Sequence, residues 1–191
     1  MDADFSIELG HEDPVLDFPW NDPSGKLAYL DVKRHPEFLD QVEEAEEFPE
    51  LKEFLSVLNS PRSMLETSKC DAWVTMDLSS EEEIYEAAHK FASYVDVVFS
   101  EIDTRLSFSL HEQFARKLVE LLRRVPDTPS AAEVCVRRCY FGKDSGVREG
   151  FYCTLNVSGY GNDEASARQN WGVGLNLVRN AILQLSAGGV G

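Results

Sequence analysis

Two strand-like runs near the C-terminus, residues 132–141 and 151–159, constrain the fold of this chain more than any other feature of its sequence. Both runs are rich in β-branched and aromatic residues, and a glycine-containing connection of nine residues separates them. This arrangement predicts a β-hairpin. If Phe141 lies opposite Phe151, the alternation of side chains gives the hairpin one apolar face and one wetter face.

The segments around the hairpin alternate between strand-like and helix-like patterns. Ser109 and Glu112 fit a capping box, and apolar residues recur at helical spacing after them. In chain order the patterns predict strands at 70–78 and 93–99, helices at 79–91 and 110–125, the hairpin, and a final helix that contains Trp171 and Leu185. This β-α-β-α-β-β-α order over residues 69–187 predicts an α+β domain with an antiparallel or mixed sheet and helices packed mainly on one face. Residues 188–191 are predicted to be a frayed tail.

Residues 1–68 carry a different, strongly acidic pattern. Residues 5–9 and 26–32 alternate like short strands, and Pro36 and Pro49 each stand where a helix can begin. We therefore expect an acidic N-terminal extension or subdomain of two short strands and two helices. It would pack beside the sheet or extend it.

The charge of the chain is strongly negative and unevenly distributed. The formal net charge is −16; residues 1–104 hold 26 Asp and Glu against 7 Lys and Arg, whereas residues 105–191 hold 8 against 11. An acidic surface repels nucleic acids and anionic membranes, so we expect direct binding to neither. The same charge favours solubility, and it would raise the rate of association with a basic protein.

Cysteine content and the N-terminal residues indicate a reducing compartment. Four cysteines are too few for a disulfide scaffold in a chain of 191 residues, although Cys139 would face Cys153 in the predicted hairpin. The first residues are acidic, unlike a secretory signal, and no apolar run approaches the ~18 residues of a membrane span. We expect a cytoplasmic protein whose cysteines are mostly buried as small apolar residues.

The stretch from Gly159 to Glu164 raises the question of a phosphate-binding loop, because two glycines follow a strand and precede a helix. A dinucleotide fingerprint needs a third glycine where Glu164 stands, and the acids at this point would repel phosphate. We predict instead that Gly159 and Gly161 form a turn and that Asn162 or Asp163 caps the helix. Neither a cofactor nor a metal site is expected, since the cysteines and histidines lack the spacing of common zinc ligands.

The leading functional hypothesis is a protein-binding or partner-masking module. An acidic helix face would dock a basic protein, for example a basic toxin or nuclease that the module neutralises. Aromatic side chains in the nearby proline-rich segment would add apolar anchors, because binding energy concentrates in such residues. The candidate partner-binding residues are Glu43, Glu44, Glu46 and Glu47, with Phe18 and Trp20 as the anchors.

Two other functions remain open. An enzyme or small-molecule binder would use a pocket between the final helix and the hairpin, in which Arg137 and Arg138 bind a carboxylate or phosphate beside Trp171. No catalytic motif identifies a reaction, so catalytic residues are not assigned. A structural subunit of a larger complex would instead use part of its apolar surface as a permanent interface.

Overall fold

The hairpin predicted from residues 132–159 forms the centre of a six-stranded sheet in the computed structural model, which describes residues 1–22, 24–80, 82–142 and 146–188. The strands are β1 (Asp2–Glu8), β2 (Val15–Phe18), β3 (Leu65–Thr75), β4 (His89–Phe99), β5 (Ser130–Phe141) and β6 (Arg148–Gly161). Their order is β1-β5-β6-β4-β3, and β2 pairs with β5 beyond the end of β1. β1 and β2 run parallel to β5 and the other pairs are antiparallel, so the sheet is mixed and the α+β class is confirmed.

The α-helices pack mainly on one face of this sheet, as the sequence predicts. They are α1 (Glu43–Glu47), α2 (Pro49–Leu58), α3 (Ile102–Arg105), α4 (Phe108–Arg123) and α5 (Glu164–Gly188), and 3₁₀ helices cover Pro36–Gln41 and Glu82–Tyr85. Apolar side chains of α1, α2, α4 and α5 join those of the strands in one core around the fully buried Trp171. A smaller apolar cluster, which includes Phe18 and Cys139, lies on the opposite face. In the described ranges, no helix combines the length and apolar character that crossing a bilayer requires.

The apolar stripe of α4 is confirmed, but its start differs from the prediction. Phe114, Leu118 and Leu122 are buried on one side of the helix. The cap is Ser107, whose hydroxyl accepts a hydrogen bond from the Leu110 amide, and not Ser109. The helix begins one residue after Ser107, so Ser109 already lies within the first turn.

The prediction of a helix over residues 79–91 is wrong. At the start of this segment the Ser79 amide donates to a carboxylate oxygen of Glu82 at 2.9 Å. Only a short 3₁₀ helix follows, and β4 begins at His89, which pairs with Gly161 of β6. At residues 89–91, pairing of β4 with the C-terminal end of β6 therefore overrides the local helix signal.

The predicted register of the hairpin is also wrong. Phe141 pairs with Arg148 and not with Phe151, because β6 starts earlier than expected. This shift moves Cys139 opposite Gly150, while Cys153 pairs with Val136. A change of three residues exchanges the faces of one strand relative to the other. Cys139 and Cys153 thus lie on opposite faces, and all four cysteines are free thiols.

Gly159 and Gly161 lie within β6 and do not form the predicted turn. A Cβ atom at Gly159 would overlap the backbone of Trp171, so glycine is required where α5 crosses the strand. The predicted cap is confirmed at Asp163, which accepts a hydrogen bond from the Ser166 amide at 2.7 Å. Close packing of a helix on a strand, not a phosphate, accounts for the first of these glycines.

Residues 1–68 share the core of the rest of the chain, since β1 and β2 join the sheet and α2 packs on α5. The helix predicted at Pro49 is confirmed as α2. The strand predicted at 26–32 is not formed, and only an isolated bridge links Ala28 to Asn21. The helix predicted from Pro36 is divided into a 3₁₀ helix and the short α1. In the predicted tail, only Gly188 is among the described residues, and it still belongs to α5.

Candidate partner-binding cavity

β3 is the last strand on its side of the sheet, and its outer edge pairs with no other strand in the part of the chain that the structure describes. Large apolar side chains are exposed at the end of this edge: Trp73 is 43% exposed, Val74 40% and Met76 70%. Because consecutive strand residues point to opposite faces, this end of β3 is uncovered on both faces. Exposed apolar residues on an unpaired strand are uncommon in soluble proteins unless they serve an interface.

The first half of the same edge contains a β-bulge. The pairing of β3 with β4 shifts between Thr67 and Lys69, which leaves Ser68 without a partner residue in β4. The indole nitrogen of Trp20 donates a hydrogen bond to the Ser68 carbonyl at 2.6 Å. Ser68 is only 9% exposed, and its buried hydroxyl has no hydrogen-bond partner among the described residues. A buried hydroxyl without a partner is costly, so a group able to bind it would stabilise this site.

A cavity of about 400 Å³ lies beside this bulge. Its walls come from the chain before the first 3₁₀ helix, the start of α1 and β3, with one residue each from that 3₁₀ helix, α2 and β4. We name it the β3 cavity. Its apolar lining includes Leu27, Leu30, Val32, Val42 and Leu55, and its polar and aromatic lining includes Trp20, Glu43, Glu44, Ser68, Lys69, Asp71 and Tyr94.

Negative charge is crowded at the rim of the β3 cavity. Partial burial raises the pKa of the Glu44 carboxyl above its ordinary value, and the nearby carboxylates of Asp71 and Glu43 raise it further. A cation bound here would relieve this repulsion. Lys69 already places its ammonium group 5.6 Å from the Trp20 ring centre and 5.8 Å from that of Tyr94. The two aromatic rings of the rim therefore already contact a cation of the protein itself.

The structure brings together part of the predicted acidic site. Trp20, Glu43 and Glu44 line the β3 cavity, whereas Glu46 and Glu47 are exposed on α1 outside its lining. Phe18 is buried in the smaller apolar cluster, with its ring 4.7 Å from that of Tyr29. Phe18 is therefore too buried to act as an anchor for a partner, whereas the half-buried Trp20 still lines the cavity.

The residues of the alternative ligand pocket are not brought together. Trp171 is fully buried on the helix-covered face, where its indole donates to the Ser93 hydroxyl at 2.8 Å. Arg137 lies on the opposite face of the sheet, because it pairs with Tyr152 of β6 and belongs to the set that includes Cys139. Arg138 donates to the Gly10 carbonyl at 2.5 Å.

The guanidinium of Arg137 is already bound within the protein. Its Nε donates to Glu8 at 2.7 Å and one terminal nitrogen donates to the Thr154 hydroxyl at 2.8 Å. Thr154 in turn donates to the buried Asp96 carboxylate at 2.6 Å. This network links β1, β5, β6 and β4 across the face that the helices do not cover, which we call the open face. Arg137 therefore has a structural role.

A second cavity, of about 560 Å³, lies on the same open face. Small residues form its floor, since Ala92, Ser158 and Ala131 are direct neighbours on three adjacent strands. Two of its charged groups pair with each other, because Glu82 accepts a hydrogen bond from Lys90, and Glu82 also accepts one from the Tyr160 hydroxyl. Within the described ranges, no group of three or more His, Cys, Asp or Glu side chains is placed to hold a metal ion.

Comparison of the chain with models of protein families, with curated proteins and with solved structures finds no match.

Sequence reasoning missed the β3 side of the site, namely Ser68 and the exposed residues from Trp73 to Met76. The bulge at Ser68 has no local sequence signature. One signal was available: Trp73 and Val74 are adjacent apolar residues that must point to opposite faces of a strand. The short stretch between Asp71 and Asp77 is apolar on both faces of the strand. Covering both faces at the end of a strand is difficult in a small domain.

Proposed function

We propose that this protein is a partner-binding module of the cytoplasm that docks a basic polypeptide at the β3 cavity. The observation that carries the proposal is the convergence of Trp20, Glu43 and Glu44 from separate segments on one cavity. A lysine or arginine side chain suits such a cavity, because its aliphatic stem packs on apolar walls while its charged head meets carboxylates. The four free cysteines suit a reducing compartment.

Electrostatics and packing would have separate roles in this interaction. The acidic excess of residues 1–104 would attract a basic partner over a long range and raise its rate of association. The half-buried Trp20 and the apolar walls would provide most of the binding energy after contact. Binding would also mask the partner, because its basic surface could no longer contact other acidic molecules.

Two pairs of glutamates on α1 offer a matched test. The double substitution Glu43→Lys with Glu44→Lys alters the rim of the β3 cavity, and Glu46→Lys with Glu47→Lys alters exposed positions outside it. Both variants change the net charge by the same amount on the same short helix. Proteins from the source lysate that bind the immobilised wild type in low salt are identified by mass spectrometry, and the affinity of each purified candidate is then measured.

We expect the cavity pair to weaken a basic partner at least tenfold and the control pair to weaken it no more than about threefold, since an exposed ion pair contributes little. Equal losses with both pairs would mean that only the overall charge matters and would contradict a specific site. Failure of the wild type to retain any basic protein would remove the proposal altogether.

A further inference from the structure

We infer that the partner binds as an added β-strand along the outer edge of β3. The inference rests on the proposed function and specifies its geometry. The β3 cavity lies at one end of this edge, beside Ser68, and the exposed apolar residues lie at the other end, up to Met76. At a rise of ~3.3 Å per residue the edge from Ser68 to Met76 spans roughly 26 Å, which an extended segment of about eight residues would match.

The backbone at this edge is partly available for pairing, since Trp20 already donates to the Ser68 carbonyl and the Asp71 carboxylate accepts from the Ala72 amide at 2.7 Å. β3 pairs with β4 through Thr75, and on its other side the described residues contribute no strand. Strand addition satisfies the outward amide and carbonyl groups of an edge strand, and it places alternate side chains of the ligand on the two faces. The exposed Trp73 and Val74 point to these two faces and would contact both sets of ligand side chains.

Charge selects the class of ligand. The three acids Glu43, Glu44 and Asp71 outnumber Lys69 at the cavity end of the edge, and Asp77 lies just beyond its other end. A second copy of this chain would bring a net charge of −16 against the same surface, so pairing between copies is opposed. A basic extended segment is favoured instead, with a lysine or arginine at the cavity and β-branched or aromatic residues beside Trp73.

Backbone pairing can be tested with synthetic peptides and the wild-type protein. The probe is an eight-residue peptide of alternating lysine and valine, blocked at both ends. Two analogues carry N-methyl groups on either the odd or the even residues, which removes the amide donors from one edge of the peptide and keeps its charge. Affinities are measured by isothermal titration calorimetry at low salt.

Strand addition uses only one edge of the ligand, so we expect one analogue to lose at least tenfold in affinity while the other binds within about threefold of the parent peptide. Any other pattern, including equal binding of all three peptides or no binding of the parent, overturns the inference.

Variants of the two outer edges of the sheet provide an independent control. Val74→Lys with Met76→Lys places two cations on the β3 edge, where they repel a basic segment and discourage edge pairing. Ile7→Lys with Val15→Lys makes the same charge change at the opposite edge, where the two residues are 42% and 43% exposed. We expect the β3 variant to weaken the parent peptide at least tenfold and the opposite-edge variant to leave it within about threefold.

The outcomes separate this inference from the proposed function. Loss of partner binding in the Glu43 and Glu44 variant, together with equal binding of the three peptides, would retain the acidic cavity and reject strand addition. The reverse result, a one-edge peptide pattern without any effect of the two glutamates, would retain the edge and reject the acidic cavity as the docking site.

Discussion

The two outer edges of the sheet are built in opposite ways. β1 and β2 form one edge, which the loop at residues 9–14 interrupts and Pro19 ends. β3 forms the other edge as a single strand of 11 residues, followed by the exposed Met76. Natural sheets protect outer strands by interruption, proline and charge, because an unprotected edge pairs with other chains.

Charge and hydrogen bonding add to the protection of the β1 edge. Asp2, Asp4 and Glu8 recur on one face of β1, and the Arg123 side chain of α4 donates to the Ala3 carbonyl at 2.8 Å. The apolar end of β3 contrasts with this arrangement, although β3 belongs to the acidic half of the sequence. This difference makes the β3 edge the better candidate for a binding surface, and the following predictions test the contrast between the two edges.

The largest expected effect is on the protected edge, where Arg137 ties β1 to the middle of the sheet. Arg137→Met would leave Glu8 and the buried Asp96 without their shared cation. We expect the free energy of unfolding in urea to fall by about 2–3 kcal/mol, since removal of one partner strands a buried charge but solvent still reaches Arg137 and Glu8. The control is Lys52→Met, which breaks a largely exposed ion pair with Asp40 away from β1 and should cost about 0.3 kcal/mol. Similar costs for the two variants would show that the network does not secure this edge.

A smaller effect is expected from the helix that covers the same edge. Arg123→Ala removes the hydrogen bond to the Ala3 carbonyl, and its ion pair with Asp4 is largely exposed. We expect a loss of about 1 kcal/mol, mostly from the backbone contact, and faster hydrogen exchange of the β1 amides. Arg124 is the next residue of the chain and is also exposed. Arg124→Ala should change neither the free energy of unfolding nor the exchange of the β1 amides. Unaltered exchange in the Arg123 variant would mean that the edge is protected without this side chain.

On the β3 side, the affinity for a basic ligand should depend on pH through Glu44. Burial and neighbouring carboxylates raise the pKa of this carboxyl in the free protein, and a bound cation would lower it again. Affinity should therefore be full at neutral pH and fall as the pH drops through the raised pKa, beginning above the ordinary value of 4.5. We expect a loss of about two- to fivefold, corresponding to one partly exposed ion pair.

A matched variant isolates this contribution. Glu44→Gln should bind more weakly at neutral pH and should lose the part of the pH dependence that lies above 4.5. Calorimetric titration of the lysine–valine peptide between pH 4.5 and 7.5 measures both. An identical pH profile in wild type and variant would assign the dependence to another carboxylate.

Much of the architecture was predictable because it follows from periodicity. The apolar stripe of α4 and the two runs that became β5 and β6 specify helices against one face of a sheet. The register and the segment 79–91 were not predictable, since each depends on how far β6 extends. Arg148 and Glu149 look like loop residues, yet they pair with β5 because the strand end is exposed and tolerates charge.

The candidate site also combines residues that the sequence predicts with residues that only the fold brings into it. Glu43 and Glu44 were accessible to sequence reasoning because charge is visible in composition. The distinction between them and Glu46 or Glu47 depends on where α1 meets β3, which only the fold determines. The partnerless hydroxyl of Ser68 depends on a bulge and on the position of β3 at the edge, and neither has a local signature.

The smallest expected effect is self-association of the wild type through its β3 edges. At low salt the net charge of −16 should keep copies apart, and at 1 M NaCl the screening length falls to about 3 Å. Weak dimers should then appear in sedimentation velocity at millimolar protein concentration. They should be absent in the Val74→Lys, Met76→Lys variant and unchanged in the Ile7→Lys, Val15→Lys variant, which carries the same net charge. Dimers that persist equally in both variants would show that the two edges do not differ in their tendency to pair, and the contrast between them would then lie in side-chain chemistry alone.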